Sequence, residues 1–428
     1  MGRREALNAG NIRPMSEPRE IKSYRARWIV PMDRPPIDDG VLTVRDGVIL
    51  ALQPGDTARD LAAEDLGDVV LMPGFINAHT HLELGFCRGR IPPCPLWDWF
   101  DRLIELNRRP DAGPLRRQSI IEGARESLEA GVTCIADISR SGENAALLSD
   151  SPIRKTCYIE LISGAKSPPY DAHSLEHALA KVRTRAQDDR LRIGISPHAP
   201  YSVTPEDLAA AASLAAHDGC PLTVHVLETQ DERDWFAQGS ARLDAYLAKY
   251  GVGGGARRPG GSALKLLRTT GILRHRPLLA HLNYVTDDDL AILKKSRAAI
   301  VWCPRTHAYF GHAPHRWLDM LNAGIPVCFG TDSLASAPSL SALDELRFLH
   351  AAHPGVDSMT LLECATARGA EALGLGQRLG TLTPGKWADF VTIPLPEVLV
   401  RDVGRAVLET QHGVSGVWVN GANVFTRR

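Results

Sequence analysis

The chain has 428 residues, is 44% hydrophobic and carries a formal net charge of −1. That length exceeds one ordinary domain and suits one large domain with a smaller one, with apolar residues enough for a core. The near-zero charge gives no general field for nucleic acid or an anionic membrane, and no run approaches the ~20 apolar residues of a membrane span.

Residues 1–20 are polar and aperiodic, the pattern of an unordered extension, and they lack the apolar stretch of a secretory signal. Met15 offers a second start. From Ser23 short strand patterns follow, with an Asp46-Gly47 hairpin signal between apolar runs at 41–44 and 48–50. Asn420-Gly421 repeats the signal between 416–419 and 423–425. Residues 21–70 and 378–428 are therefore expected to build one small β-sandwich domain from both chain ends.

Between them strand and helix patterns alternate. Eight short apolar runs, at 69–72, 133–138, 156–161, 192–196, 221–226, 277–281, 299–303 and 326–330, are separated by amphipathic stretches such as 118–130, 205–217, 287–295 and 338–352. Repeated strand–helix units predict an α/β fold, a (β/α)₈ TIM barrel over residues 71–377 rather than an open sheet. The glycine-rich run 253–261 either covers the barrel mouth or is a tolerated surface loop, and the surface loop is the expectation. Eight cysteines (87, 94, 134, 157, 220, 303, 328 and 364) are scattered without a CxxC. Several fall inside apolar strands, as reduced core residues of a cytoplasmic protein do.

In such a barrel, chemistry gathers at the C-terminal ends of the strands. His79-Thr80-His81 stands at the first of them, and on an extended segment two residues one apart point to the same side. The later ends supply His198 after strand four, His225 with Glu228 at strand five, His281 at strand six and Asp332 at strand eight. Any one of these reads equally well as a satisfied core histidine or a capping aspartate; polar residues at five strand ends together read as a site. Three neutral imidazoles and a carboxylate suit one divalent ion, Zn²⁺ first and Fe²⁺ as the alternative, with room for a water whose pKa falls to ~7. His79, His81, His225 and Asp332 are the expected ligands. Glu228, just past its strand, is placed to shuttle a proton, and His281 to hydrogen-bond the attacking water.

The segments PGFINAHTHLE, SPHAPYS, HVLET, AHLNY, WCPRTHAYFG and FGTDSLAS resemble the successive strand-end motifs of the amidohydrolase superfamily, in its deaminase and chlorohydrolase branch. GTLTPGKWADF, from Gly380, is similar to that family's return into the β domain, and NAHTHLEL with SPHAPYS resembles the aminodeoxyfutalosine deaminase group. The resemblance implies a mononuclear metal site with the ligands above and Glu228, His281 and Asp332 as catalytic residues. Binuclear members commonly carry a bridging carboxylated lysine after strand four, where this chain reads Ile195-Ser196-Pro197-His198; Lys166, after strand three, is the less favoured substitute. The implied reaction is hydrolytic deamination of an amino-substituted aromatic N-heterocycle, such as an adenine-type nucleoside. Hydrolysis of a cyclic amide or a halogenated triazine is the alternative. A non-catalytic barrel scaffold is disfavoured, because every expected ligand type is present. The partner is then a small molecule, with no nucleic acid or membrane, and the family's habit of dimerising leaves a homodimer open.

Substrate candidates lie near the same ends. Glu83 suits either a sugar hydroxyl or a salt bridge, and Arg88 either a substrate carboxylate or its own loop. His198 resembles the family's substrate-side histidine. Arg305, His307 and His312 are polar enough to line a pocket, although the family more often has an Asn-like residue near His307. Trp97 and Trp99 are expected to pack a loop over the mouth, and His173, His177, His217, His350 and His353 to be solvated.

Overall fold

The computed structural model describes residues 21–58, 62–184, 190–253, 260–395 and 402–427. The N-terminal extension and most of the glycine-rich run 253–261 lie outside the described residues.

The chain opens with β1 (Ile21–Ile29), β2 (Ile37–Arg45), β3 (Val48–Pro54), the short β4 (Glu64–Asp65) and β5 (Val69–Pro73). Four strands follow as β6 (Phe75–Thr80), β7 (Val132–Ser139), β8 (Arg154–Leu161) and β9 (Leu191–Pro197). Four more are β10 (Thr223–Val226), β11 (Leu278–His281), β12 (Ala299–Trp302) and β13 (Val327–Phe329). The chain returns through β14 (Phe390–Pro394), β15 (Gly416–Val419) and β16 (Ala422–Thr426).

Both chain ends enter one eight-stranded sheet, ordered β16-β15-β14-β5-β1-β2-β3 with β4 beside β1. Where a two-sheet sandwich was expected, the hydrogen bonding is thus that of a single continuous sheet. The two hairpin signals are real turns. Asp46 and Gly47 have φ of +53° and +78°, and Asn420 and Gly421 of +52° and +69°, the paired positive values of a type I′ turn. A second correction concerns the run 69–72, expected as the first barrel strand. As part of β5 it pairs antiparallel with β14, Val391 opposite Met72, and so belongs to the terminal sheet. The strand that carries the histidines is the next one, β6, separated from β5 by Gly74 alone.

The middle of the chain is α/β, with two four-stranded parallel sheets, β6-β7-β8-β9 and β10-β11-β12-β13. All residues of β7 and β8 are buried, as expected of parallel strands covered on both faces. Covering helices include Ala112–Glu129, Ala172–Arg183, Pro205–Asp218, Asp287–Lys294 and Ala342–Ala352. All but the first of these start under a side-chain cap; Thr204, for example, accepts from the Asp207 N–H, with Pro205 in the first turn. Single parallel bridges lie at the borders of the sheets, Ile195 with Leu222 and Thr80 with Asp332. One buried cluster draws alternate residues from strands of both sheets, among them Ile76, Ala78, Cys134, Ala136, Tyr158, Ala280, Val301 and Cys328.

The terminal sheet is tied to the middle by a buried ion pair. Arg154 at the start of β8 donates to Asp389 at 2.6 Å, with both side chains at most 3% exposed. The eight cysteines are unpaired, six of them buried. No described helix is long and apolar enough to cross a membrane.

Candidate active site

Local hydrogen bonding brings the end of β6 against the segment after β13. The His79 carbonyl accepts from the Thr331 and Asp332 N–H groups at 3.1 and 3.0 Å. Asn77 reinforces this contact: its Oδ1 accepts from the Thr331 N–H at 3.1 Å and its Nδ2 donates to the Thr331 hydroxyl at 2.8 Å. The backbones approach so closely that a Cβ on Gly330 would meet His79 atoms at 2.8 Å. Asp332 (φ +60°) and His281 (φ +74°) both take the left-handed conformation. For non-glycine residues it costs ~1–3 kcal/mol and gathers at functional sites.

The result is a dense histidine cluster. Donor atoms of His79, His81 and His225 lie within 4.8 Å of one another, as do those of His79, His281 and Asp332. His225 Nδ1–H donates to the His198 carbonyl at 2.9 Å, which leaves its Nε2 as a lone pair facing His81 Nε2 at 3.3 Å. His81 Nε2 stands 3.8 Å from an Asp332 oxygen. Both ring nitrogens of His79 are buried without a hydrogen-bond partner. Such orphaned nitrogens are costly unless something occupies the space they face. Burial, helped by the neighbouring imidazoles, holds His79 and His81 well below the ordinary histidine range, and burial pushes His225 down to about 4. Neutral imidazoles converging with a carboxylate fit a divalent cation, and zinc or ferrous iron suits that donor set.

Beside this set, His281 Nε2 lies 3.7 Å from a carboxylate oxygen of Glu228. Burial first, then the charge of Asp332, pushes the Glu228 carboxyl well above its ordinary value. Burial also raises Asp332, to about 7. A small cavity of about 50 Å³ adjoins His81, His225, Glu228, His281 and Asp332, walled by His198 and by Trp99, Phe100 and Phe310.

Residues 70–424 match the model of the amidohydrolase family, most of the chain. This chain belongs to the amidohydrolase family. It is 28% identical to an aminodeoxyfutalosine deaminase of Deinococcus radiodurans, over 78% of this chain and 81% of that protein. It is 29% identical to a 5-methylthioadenosine/S-adenosylhomocysteine deaminase of Saccharophagus degradans, over 94% and 91%. A crystal structure of an adenosine deaminase from Xanthomonas campestris with bound zinc superposes with a TM-score of 0.82 at 23% identity, covering 94% of this chain and 92% of that one.

Within this amidohydrolase, the other candidates divide. His198 is at the cavity, its ring 5.1 Å from that of His225 and its Nδ1 2.6 Å from the Ser202 hydroxyl. Glu83 accepts from the Arg140 N–H at 3.5 Å and does not line the cavity. Arg88 is exposed and paired with Glu126, which makes it a loop anchor. Arg305 corrects the expectation of a pocket residue. Its guanidinium donates to Glu345 at 2.7 Å and to the Ser339 and Ser341 carbonyls, so every face is occupied by protein. His307 bonds to Asn283 and does not line the cavity, whereas His312, 3.2 Å from the Tyr284 hydroxyl, lines an adjoining wider pocket of about 450 Å³ that shares Leu96 and Phe310 with it. Lys166 is exposed. His173, His177 and His217 are exposed too, but His350 is mostly buried, 3.4 Å from Glu409, and His353 meets the Trp317 ring.

Trp97 packs as expected, its Nε1–H donating to Asp231 at 2.8 Å. Trp99 does more. The helix Leu96–Asn107 lays Leu96, Trp99, Phe100 and Leu103 over the cavity. Sequence reading expected the tryptophans over the mouth but as a loop, and missed Leu96, Phe100 and Leu103, although the spacing i, i+3, i+4, i+7 is the mark of a helix face.

Proposed function

We propose that this hydrolytic deaminase is a single-metal enzyme that converts the amino group of an adenine-type nucleoside to an oxo group. The observation that carries the reading is the buried carboxyl of Glu228, 3.7 Å from His281, beside the converging His79, His81, His225 and Asp332. Both relatives named above are deaminases by name, and the second is named for 5-methylthioadenosine and S-adenosylhomocysteine, which supports the substrate class. One metal rather than two is favoured because His198 follows β9 where a bridging lysine would stand, and Lys166 is exposed. Zinc is the first choice, with the zinc-bound neighbour in its favour. The two parallel sheets are read as halves of one (β/α)₈ barrel; the border bridges and the shared inner cluster support closure.

A cation held by His79, His81, His225 and Asp332 would supply a water acidified towards a pKa of ~7. Asp332, 3.8 Å from His81 Nε2 within the same donor set, accepts the proton that the attacking water loses. Glu228 is held protonated by burial and gives its proton to the ring nitrogen next to the amine-bearing carbon, which makes that carbon electrophilic. His281, a neutral imidazole through burial, hydrogen-bonds the attacking oxygen and steadies the charge that develops there. The proton on Asp332 then passes to the amino group, the carbon–nitrogen bond breaks to release ammonia, and the new hydroxyl returns its proton to Glu228 as it becomes the oxo group, which restores both carboxyls. Trp99, Phe100 and Phe310 offer flat walls to the ring and exclude water.

The test is ammonia release from a panel of adenine nucleosides, guanine and amino-triazines, with metal content measured on the same protein. Glu228→Gln is expected to keep its metal and lose turnover by about 10²–10⁴-fold, the usual worth of a general acid. Near-full activity in that variant removes the role given to Glu228. Silence across the amines, with chloride released from a chlorotriazine or a cyclic amide opened, replaces deamination by the alternative hydrolysis.

A further inference from the structure

The segment after β12 carries three histidines, His307, His312 and His315, that the catalytic reading leaves unused. Each meets one residue of the loop leaving β11. His315 Nε2–H donates to the His281 carbonyl at 2.8 Å. His307 Nδ1–H donates to Asn283 Oδ1 at 3.0 Å, and His312 Nδ1 stands 3.2 Å from the Tyr284 hydroxyl. Asn283 passes the support onward, because its Nδ2 donates to the Glu228 carbonyl at 2.9 Å. One segment therefore grips the backbone of both His281 and Glu228.

That loop needs gripping. His281 and Leu282 are consecutive non-glycine residues at φ of +74° and +51°, a conformation that persists only where its surroundings over-determine it. His315 is built for the task. Its ring lies nearly parallel on Trp302, with centroids 4.4 Å apart and planes at 13°, which fixes the direction of the Nε2–H. The other ring nitrogen is buried without a hydrogen-bond partner, so the bond to the His281 carbonyl is what orients the polar part of the side chain.

We propose that His315 is a positioning residue for the deamination: with His307 and Asn283 it locks the exit of β11 so that the His281 imidazole and the Glu228 carboxyl keep their mutual placement. The proposal rests on the catalytic roles read for those two residues. His315→Phe keeps a flat ring on Trp302 and removes the N–H; His315→Gln keeps an N–H and gives up the stack.

Two readouts are taken on the full-length, metal-loaded protein. Backbone amide exchange over residues 278–286, followed by mass spectrometry, needs no substrate. It is expected to speed up about tenfold in His315→Phe, the worth of one neutral hydrogen bond. Steady-state kinetics on the amine that the panel identifies should show kcat about tenfold lower with KM unchanged. Metal content is expected to stay at the wild-type level, and His315→Gln to recover both readouts. Wild-type exchange in the Phe variant overturns the proposal even if no substrate has been found. So does a Gln variant as impaired as the Phe variant, or a loss in which metal content, KM and global unfolding all move together. Faster loop exchange in a protein that deaminates nothing on the panel keeps the lock and sinks the reaction assigned to the site.

Discussion

Asn77 is wholly buried two residues before His79, and its amide is spent on the segment that carries Asp332. Its Oδ1 also faces the His79 N–H at 3.4 Å. A residue that orients ligands without touching the ion typically alters metal affinity by 10–100-fold when removed. Asn77→Ala is therefore expected to weaken metal binding by about that factor while the fold survives, at a stability cost of about 2 kcal/mol for two buried hydrogen bonds. Titration with a chelator of known affinity reads the first and denaturant unfolding the second. Unchanged affinity would mean that the backbone contact between His79 and Asp332 suffices alone. Asn77 escaped the sequence reading because an asparagine inside an apolar strand carries no sign of its partner, here 254 residues away.

At the scale of elements, Arg305 shows what spacing hides. It opens the helix Pro304–Tyr309 and is clamped to Glu345 on the helix Ala342–Ala352, where the glutamate side chain is 1% exposed. Removing the cation strands a buried carboxyl, which costs roughly 3 kcal/mol or more. Arg305→Met is accordingly expected to lower the thermal unfolding temperature and leave KM for the substrate unchanged. A raised KM at unchanged stability would return Arg305 to the substrate. The same scale explains what was legible. The histidine pair, His225 with Glu228, His281 and Asp332 were visible because parallel strands joined by helices bring their C-terminal ends to one edge of the sheet once the strands are found. The run 69–72 was misplaced because a wholly buried strand has no alternation to say which sheet it joins. The pairing of β5 with β14 spans more than three hundred residues of sequence, and only the fold reveals it.

For the whole molecule, the candidate ligands are distributed so that an ion would act as a fastener. His79 and His81 come from the end of β6, in one parallel sheet, while His225 from β10 and Asp332 beyond β13 come from the other. The hydrogen-bonded ladders stop at the borders between those sheets, with single bridges at Ile195–Leu222 and Thr80–Asp332. A ligand that binds the folded state alone stabilises it by RT ln(1 + [L]/Kd), about 4 kcal/mol at a thousandfold excess over Kd. Stripping the metal should therefore cost the protein several degrees of thermal stability. It should also speed amide exchange at 79–82 and 330–333 more than in the terminal sheet, where the Arg154–Asp389 pair holds without any ion. Restoring zinc should reverse both changes. If the metal leaves and neither the unfolding temperature nor exchange at the β6–β13 border moves, the four side chains do not share one ion. The orphaned nitrogens of His79 would then need another occupant.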